Sequence, residues 1–177
     1  MKTTLNDLSS NLVNQAIILI QNIDENTTDK TSLNLKEAVL NSSLSDEQHE
    51  ANTLDMLNDC FNKIDILGVE YKMGEVLKEI DPSRFKDLLA EEIRNKIRND
   101  EYFEDEDGNL YDYNDLGSIF IDDLEIETDD DLIDLIRLLK NNVKVSQFEE
   151  YKEVKADRSK LELFNMFNNC NLEVIKE

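Results

Sequence analysis

The residues in this chain that could do chemistry are carboxylates, and they are concentrated in one segment. Residues 100–134 (DEYFEDEDGNLYDYNDLGSIFIDDLEIETDDDLID) contain sixteen Asp or Glu and no Lys or Arg. The rest of the chain has 25 acidic and 19 basic side chains, so most of the net charge of −22 lies in this acidic segment. Charge of one sign attracts oppositely charged partners and repels like charges. We therefore expect the acidic segment to be either a binding surface for a cationic partner or a solvated face.

Calcium binding is the first chemistry that clustered carboxylates suggest. An EF-hand loop has an obligatory Gly at position six and a bidentate Glu at position twelve. With Gly108 at position six, Asp105 and Asp107 fall on ligand positions. Phe103 then occupies position one and Asn114 position twelve, so the first and last ligands are missing. We expect Asp107-Gly108 to form a turn, and we expect no metal or cofactor.

Catalytic chemistry has little support in the other residue types. The chain has a single histidine, His49, which lies beside acidic residues in a predicted helix and is expected to face solvent. Cys60 and Cys170 have phenylalanines near them in sequence and are predicted to be buried, reduced thiols. The sequence contains no Gly-rich phosphate loop and no GxSxG motif. A catalytic carboxylate needs a desolvated pocket, which an acid-rich surface does not indicate, so we expect no enzyme.

The net charge also limits the classes of partner. Nucleic-acid phosphates and anionic membrane surfaces would both be repelled, which leaves a basic protein such as a nuclease. The N-terminal sequence MKTTLNDLSSNLVNQ lacks a basic region followed by an apolar core, as a signal peptide would have. The longest apolar run, residues 16–20, is too short to span a bilayer. The sequence thus predicts a soluble, intracellular protein.

Hydrophobic periodicity predicts helices for most of the chain. Ser45 and Gln48 form a capping box that opens a helix to about Ile64, with Leu54, Leu57, Phe61 and Ile64 on one face. Residues 69–73 follow a break at Gly68 and are predicted to be a strand or an extended connector. Further helices are predicted over residues 4–23, 33–40, 74–80, 82–99, 129–140, 146–155 and 157–169, with Asp81, Thr128 and Ser146 as N-caps.

The acidic segment is predicted to begin with a β-hairpin. Residues 102–104 and 110–113 alternate in polarity around Asp107-Gly108, a dipeptide typical of hairpin turns. The predicted fold class is mostly α, or α+β with a minor β-hairpin: a compact helical domain with an acidic hairpin near residues 101–113. We expect one domain over residues 1–177, subdivided, if at all, into helical residues 1–64, an α+β acidic module 65–127 and helical residues 128–177.

Two groups of residues are predicted to bind the basic partner. Carboxylates at the charge density of a nucleic acid can replace phosphates and pair with Lys and Arg of the target. Tyrosines between them either anchor the contact, as Tyr does at many hot spots, or form the core face of the hairpin. The candidates are Glu104, Asp105, Glu106, Asp107, Tyr111, Asp112, Tyr113 and Asp115 around the hairpin, and Asp122, Asp123, Asp129, Asp130 and Asp131 as a second patch.

The charge block, the compact length and the lack of catalytic motifs together resemble small acidic inhibitors encoded by phages and mobile elements. These include DNA-mimic anti-restriction and anti-CRISPR proteins. Residues 70–116 (EYKMGEVLKEIDPSRFKDLLAEEIRNKIRNDEYFEDEDGNLYDYNDL) are also similar to a short module of phage-encoded proteins, in which a helix junction precedes an acidic hairpin. The resemblance implies an inhibitor that blocks the DNA- or RNA-binding surface of a defence nuclease in the cytoplasm of a bacterial host. It assigns no role to any individual residue.

Two other functions fit the same sequence. An immunity protein or antitoxin that neutralises a basic toxin would present a similar acidic surface. An acidic structural or assembly protein would instead use its charge for solubility, and its amphipathic helices, over residues 4–23 and 157–169, would drive self-association, for example as a homodimer.

Overall fold

The computed structural model describes residues 4–61, 63–66 and 68–172. The chain divides into two compact units: unit 1 consists of Met1–Ser42 and Tyr113–Glu177, and unit 2 of Ser43–Asp112. Unit 2 is therefore an insertion between two parts of unit 1. The predicted segment limits, near residues 64 and 128, do not coincide with the limits of these units. The difference arises because a strand directly after Ser42 pairs with the second strand of the acidic hairpin.

The fold is mostly helical with a minor antiparallel sheet, which confirms the predicted class. In chain order, the elements are α1 (Ser10–Gln21), α2 (Lys30–Asn41), β1 (Ser43–Leu44), α3 (Asp46–Cys60), β2 (Ile64–Ile66), β3 (Val69–Tyr71), α4 (Met73–Ile80), α5 (Pro82–Arg98), β4 (Tyr102–Glu104), β5 (Leu110–Asp112), α6 (Tyr113–Gly117), α7 (Asp129–Lys140), α8 (Phe148–Val154) and α9 (Arg158–Asn168). Short 3-10 turns lie at Leu5–Asp7 and Val145–Gln147, and a π-helical turn lies at Ser118–Asp123. No helix in the described part of the chain is long and apolar enough to cross a membrane.

Unit 1 is built around α1, which packs against α2 and α7. The helix predicted over residues 4–23 is interrupted, because Ser9 has an extended backbone and only Ser10 begins α1. The backbone N–H of Ser9 donates a hydrogen bond to the Asp129 carboxylate at 2.7 Å, which replaces an intrahelical partner. The apolar face of α1 is completely buried and supplies Val13, Ala16, Ile17 and Ile20 to the core.

Two of the predicted helix starts in unit 1 have different outcomes. Thr128 caps α7 as predicted, in a capping box with Asp131. Ser146 is not an N-cap, and α8 begins later, at Phe148. Ser146 lies instead within the 3-10 turn Val145–Gln147, and its backbone N–H donates to the buried Asp29 carboxylate at 3.3 Å, which joins this turn to the N-terminus of α2.

The C-terminal helix α9 buries a narrower face than the sequence predicts. Leu161 and Phe164 are buried, as is Cys170, but Phe167 is 78% exposed. In a helix with about 3.6 residues per turn, each three-residue step drifts by about 60°. Phe167 has therefore moved about 120° around the helix from Leu161, beyond the buried stripe.

Unit 2 contains the predicted acidic hairpin. Its three-stranded antiparallel sheet has the order β1-β5-β4, with Tyr102 opposite Asp112 and Glu104 opposite Leu110. The turn has Gly108 at φ +84°, a conformation that favours glycine over other residues. β2 and β3 form a separate antiparallel pair, so residues 69–71 are a strand, one of the two predicted alternatives.

The helix that starts at Ser45 has the predicted capping box but ends at Cys60, before Ile64. Phe61 has an extended backbone, and Ile64 opens β2 instead of continuing the helix. The predicted apolar face was therefore wrong in part: Leu57 is buried, whereas Phe61 is half exposed. α5 starts as predicted, since the Asp81 side chain accepts a hydrogen bond from the backbone N–H of Arg84.

Helices α3 and α4 approach each other closely at Gly74. Its backbone N–H donates to the side-chain oxygen of Asn58 at 2.9 Å. A Cβ atom at Gly74 would lie only 2.9 Å from the backbone oxygen of Leu54, which is closer than van der Waals contact allows. This contact requires glycine because the clashing atom belongs to the backbone of a helix and cannot rotate away.

We expect Gly74→Ala to destabilise unit 2 by about 2 kcal/mol, since overpacking a tight contact typically costs 1–3 kcal/mol. Gly117→Ala is the matched control, because a Cβ there has no atom within 4 Å. It should be neutral or slightly stabilising. Amide hydrogen exchange in α3 and α4, with each variant compared to the wild type, measures the effect on unit 2. Equal protection in Gly74→Ala and Gly117→Ala would contradict the close approach of α3 and α4.

Candidate interaction surface

The turn of the acidic hairpin is organised by the Asp105 carboxylate. It accepts hydrogen bonds from the backbone N–H groups of Asp107 at 3.0 Å and Asn109 at 2.8 Å. It also accepts one from the Tyr111 hydroxyl at 3.2 Å. Asp105 therefore stabilises the turn, because its carboxylate accepts hydrogen bonds from groups of the hairpin itself.

We expect Asp105→Ala to cost the hairpin about 1–2 kcal/mol, because the change leaves several donors without their acceptor. Asp107→Ala removes the same charge and should cost less than about 0.5 kcal/mol, as exposed positions usually do. Amide hydrogen exchange of β4 and β5 measures both effects. Equal protection in the two variants would mean that Asp105 does not hold the turn.

Three other hairpin carboxylates point to solvent. Glu104, the last residue of β4, and Glu106 and Asp107, in the turn that follows, are exposed side chains. We refer to them as the hairpin carboxylates. Because strand pairing on one side and the Asp105 network on the other fix the backbone between Glu104 and Leu110, a partner would meet these charges at fixed positions.

The candidate tyrosines are in the core. Tyr111 is completely buried and Tyr113 nearly so, as is Tyr102 in the opposite strand. The Tyr113 hydroxyl donates to the side-chain oxygen of Asn14. Tyr111 lies on the core face of the hairpin, one of the two predicted alternatives, whereas Tyr113 begins α6 and is buried in unit 1. A buried ring offers no surface to a partner, so Tyr111 and Tyr113 are removed from the candidate surface.

The second patch is also divided between structural and solvent-facing carboxylates. Asp129 accepts from the backbone of Ser9, and Asp131 accepts from the backbone N–H of Thr128 at 3.0 Å. Both carboxylates therefore hold the start of α7. Asp123 and Asp130 are exposed. Three further candidates have interactions of their own: Asp112, Asp115 and Asp122.

The two groups of candidates belong to different units. The hairpin carboxylates and Asp112 lie in unit 2, whereas Asp115 and the second patch lie in unit 1. The acidic segment is thus continuous in sequence but divided at residues 112 and 113 in the fold. We treat the hairpin carboxylates and the second patch as two separate surfaces, each on its own unit.

Sequence reasoning missed a buried carboxylate in unit 1. Asp134 on α7 is only 1% exposed and contacts three side chains. The Lys155 ammonium lies 2.7 Å from it, the Tyr151 hydroxyl 3.4 Å and the Arg137 guanidinium 3.5 Å. Asp134 is one of the sixteen acids of the acidic segment, but it contributes to packing and not to the surface. An available signal was its place within the apolar run from Leu132 to Leu138.

Two predictions about nucleophilic residues were wrong. His49 does not face solvent: it is 6% exposed and lies on the buried side of α3 with Thr53 and Leu57. The four-residue spacing of these three residues is helical, but two of them are polar types that conceal the stripe. Cys60 is exposed at the end of α3, whereas Cys170 is buried as predicted.

A cavity of about 640 Å³ lies in unit 1, at the ends of α1 and α7. Its ionisable lining residues are Asp24, Lys140 and Lys144. The backbone and side-chain amides of Asn26 hydrogen-bond the Asp24 carboxylate and lower its pKa, which makes this carboxylate a weaker base. Within the described ranges, no three His, Cys, Asp or Glu side chains are placed to hold a metal ion.

No family model matches the chain, and no curated protein or solved structure matches it either. Function must therefore be inferred from the charge and geometry of the candidate surfaces. The hairpin carboxylates are the strongest of these, because they combine exposure, a fixed turn and a single sign of charge.

Proposed function

We propose that this protein is an acidic inhibitor that binds a basic nucleic-acid-handling protein and blocks its DNA- or RNA-binding surface. The observation that carries the proposal is the exposure of Glu104, Glu106 and Asp107 on a hairpin whose turn Asp105 holds in place. A defence nuclease of a bacterial host is the target that fits best. The protein would act in the host cytoplasm, without catalysis and without a cofactor.

The mechanism is competition for a cationic groove. Duplex DNA carries one negative charge per about 1.7 Å of axis, and the proteins that bind it neutralise these charges with Lys and Arg. Carboxylates on the hairpin would pair with the same Lys and Arg side chains. Because the net charge is −22, association would be accelerated by long-range attraction and weakened by salt. Nucleic acid itself would be repelled by the inhibitor.

A capture experiment tests the proposal. The tagged protein is incubated with a bacterial lysate at low salt, washed, and eluted by raising the salt concentration. We expect a nucleic-acid-handling protein with a basic surface to elute, and the purified protein to inhibit its binding or cleavage of nucleic acid. Recovery of a toxin with no nucleic-acid substrate would favour an immunity protein instead. A partner that survives high salt would contradict an electrostatic interface.

An assembly protein is the second candidate, favoured by one surface of α9. Leu163, Met166 and Phe167 are all exposed, at helical spacing, on the side of α9 opposite its buried stripe. Exposed apolar groups of this kind mark association surfaces in some proteins. Light scattering after size exclusion decides between the candidates: assembly predicts a mass well above 20.6 kDa in the absence of any partner. A monomer that captures a basic protein would exclude it.

A further inference from the structure

The single histidine of the chain is buried beside a lysine in unit 2. A nitrogen of its ring, Nε2, is buried and has no hydrogen-bond partner in the described part of the chain. The ring of His49 contacts the ring of Tyr102, the first residue of β4, with 5.6 Å between centres. The Lys96 ammonium lies 4.7 Å from the centre of the same Tyr102 ring and donates to its hydroxyl at 3.2 Å. Tyr102 is thus held between α3 and α5.

The charges around His49 come from each element packed against it. Burial lowers its pKa most, and Lys96 on α5 lowers it further, whereas Asp46 on α3 raises it. Glu50 on α3 is paired with Lys78 on α4. Against the effect of burial, the hydrogen bond to Tyr102 and the charges of two acids, Glu92 on α5 and Asp112 on β5, raise the pKa of Lys96. The net effect is that protonation of His49 is disfavoured while its ring is buried against Tyr102.

We propose that His49, Lys96 and Tyr102 form an acid-sensitive latch that holds the acidic hairpin against α3 and α5 when His49 is neutral. Protonation puts a positive charge on the buried ring of His49, near the partly buried Lys96 ammonium, without a hydrogen-bond acceptor for Nε2 among the described residues. The closed packing around Tyr102 then loses free energy relative to an opened state, in which His49 is hydrated.

The consequence follows from the position of Tyr102. It begins β4, and strand pairing connects it to Asp112 across the hairpin. Release of Tyr102 therefore loosens the whole hairpin, and with it the positions of Glu104, Glu106 and Asp107. The latch operates irrespective of what the hairpin binds. The pKa of Lys96 is raised, so its ammonium stays charged over the pH range in which His49 titrates.

The sign of the pH dependence is fixed by this geometry. In the opened state, His49 has its ordinary pKa near 6.5, and in the closed state its pKa is lower. The closed state is fully favoured above pH 6.5, because His49 is neutral in both states. As the pH falls below 6.5, the opened state binds the proton first, and closure weakens by up to tenfold per pH unit until the pKa of the closed state is reached.

Nuclear magnetic resonance tests the latch directly, because one histidine gives one imidazole signal. We expect the ring of wild-type His49 to titrate below pH 6.5. We also expect amide protection in β4 and β5, corrected for the intrinsic exchange rate, to fall several-fold and at most tenfold between pH 7.5 and pH 5.5. Protection in α7, which belongs to unit 1, should stay constant over the same interval.

The variant His49→Gln is the control, since glutamine keeps a polar side chain but does not titrate. It should abolish the pH dependence of protection in β4 and β5. If this variant fails to fold, the wild-type ring titration still decides. A ring that titrates at or above pH 6.5 would overturn the latch. The latch would also be overturned if protection in β4 and β5 of the wild type did not fall with pH. It would equally be overturned if His49→Gln showed the same fall, or if protection in α7 fell to the same extent.

Discussion

Replacing Lys155 by Met is expected to destabilise unit 1 by about 3–5 kcal/mol, the usual cost of leaving a buried charge without its main partner. The Lys155 ammonium is 2.7 Å from the Asp134 carboxylate, and this contact raises the pKa of Lys155. Among the described residues, Asp134 then keeps the longer contacts to Tyr151 and Arg137. Because the Asp134 side chain is 1% exposed, water cannot replace the lost ammonium.

A second substitution distinguishes the loss of the ion pair from the loss of side-chain packing. Asp134→Leu added to Lys155→Met removes both charges, and it should recover most of the lost stability, since apolar residues often replace a buried ion pair without net cost. Lys160→Met is the matched control, because its ion pair with Asp157 is long, at 3.9 Å, and exposed. It should cost less than about 0.5 kcal/mol.

Amide exchange in α7 is the appropriate readout, since the chain has two units and a single unfolding curve would combine them. Protection in α7 should fall strongly in Lys155→Met, return in the double variant and stay unchanged in Lys160→Met. If protection in α7 were the same in Lys155→Met and Lys160→Met, the stability of unit 1 would not depend on the ion pair between Lys155 and Asp134.

Charge reversal of the hairpin carboxylates is expected to lower the association rate with the captured partner by at least tenfold. The variant carries Glu104→Lys, Glu106→Lys and Asp107→Lys and leaves Asp105 in place. Asp105 is excluded because its loss would disturb the turn itself. Electrostatic attraction typically contributes a factor of 10–10³ to such rates, and three reversals convert local attraction into repulsion.

The control for this variant has the same change of total charge. Asp55, Asp59 and Asp87 are exposed residues of α3 and α5 in the same unit. Their replacement by Lys should change the association rate by less than about threefold at physiological salt, because the Debye length is then about 8 Å. Stopped-flow association compares the two variants. An equal loss in both would mean that only total charge matters and that the hairpin is not the contact.

Much of the fold could be predicted because the relevant signals are local. The capping boxes at Ser45 and Thr128 specify helix starts through two side chains within one turn. The Asp81-Pro82 start of α5 and the hairpin turn at Gly108 depend on backbone preferences of single residues. Local preferences of this kind predict the structure at these positions because no tertiary contact among the described residues competes with them there.

Several errors occurred where residues distant in sequence are in contact. The backbone N–H of Ser9 donates to Asp129 at the point where the predicted helix is interrupted. Ser146 lies inside a 3-10 turn, and its backbone N–H donates to Asp29. Both partners are more than 100 residues away in sequence. The burial of His49 likewise depends on contacts that α3 makes with other elements. Periodicity of apolar residues cannot find such positions when the buried side chains are themselves polar.

The candidate surface was predicted too broadly for a related reason. Composition counts carboxylates but does not separate those that cap turns from those that face solvent. Asp105, Asp129 and Asp131 each accept backbone N–H groups, and Asp134 is buried in an ion pair. The hairpin carboxylates are candidates in unit 2 that face solvent and have no structural role assigned above. They are the basis of the proposed inhibition.

Competition with nucleic acid is the most direct test of that proposal. The affinity of the protein for its captured partner is measured at increasing concentrations of the partner's own DNA or RNA substrate. Blocking of the nucleic-acid groove predicts that the apparent Kd rises in proportion to the substrate concentration, with no ternary complex. A Kd that stays constant, with protein and nucleic acid bound to the partner together, would contradict it.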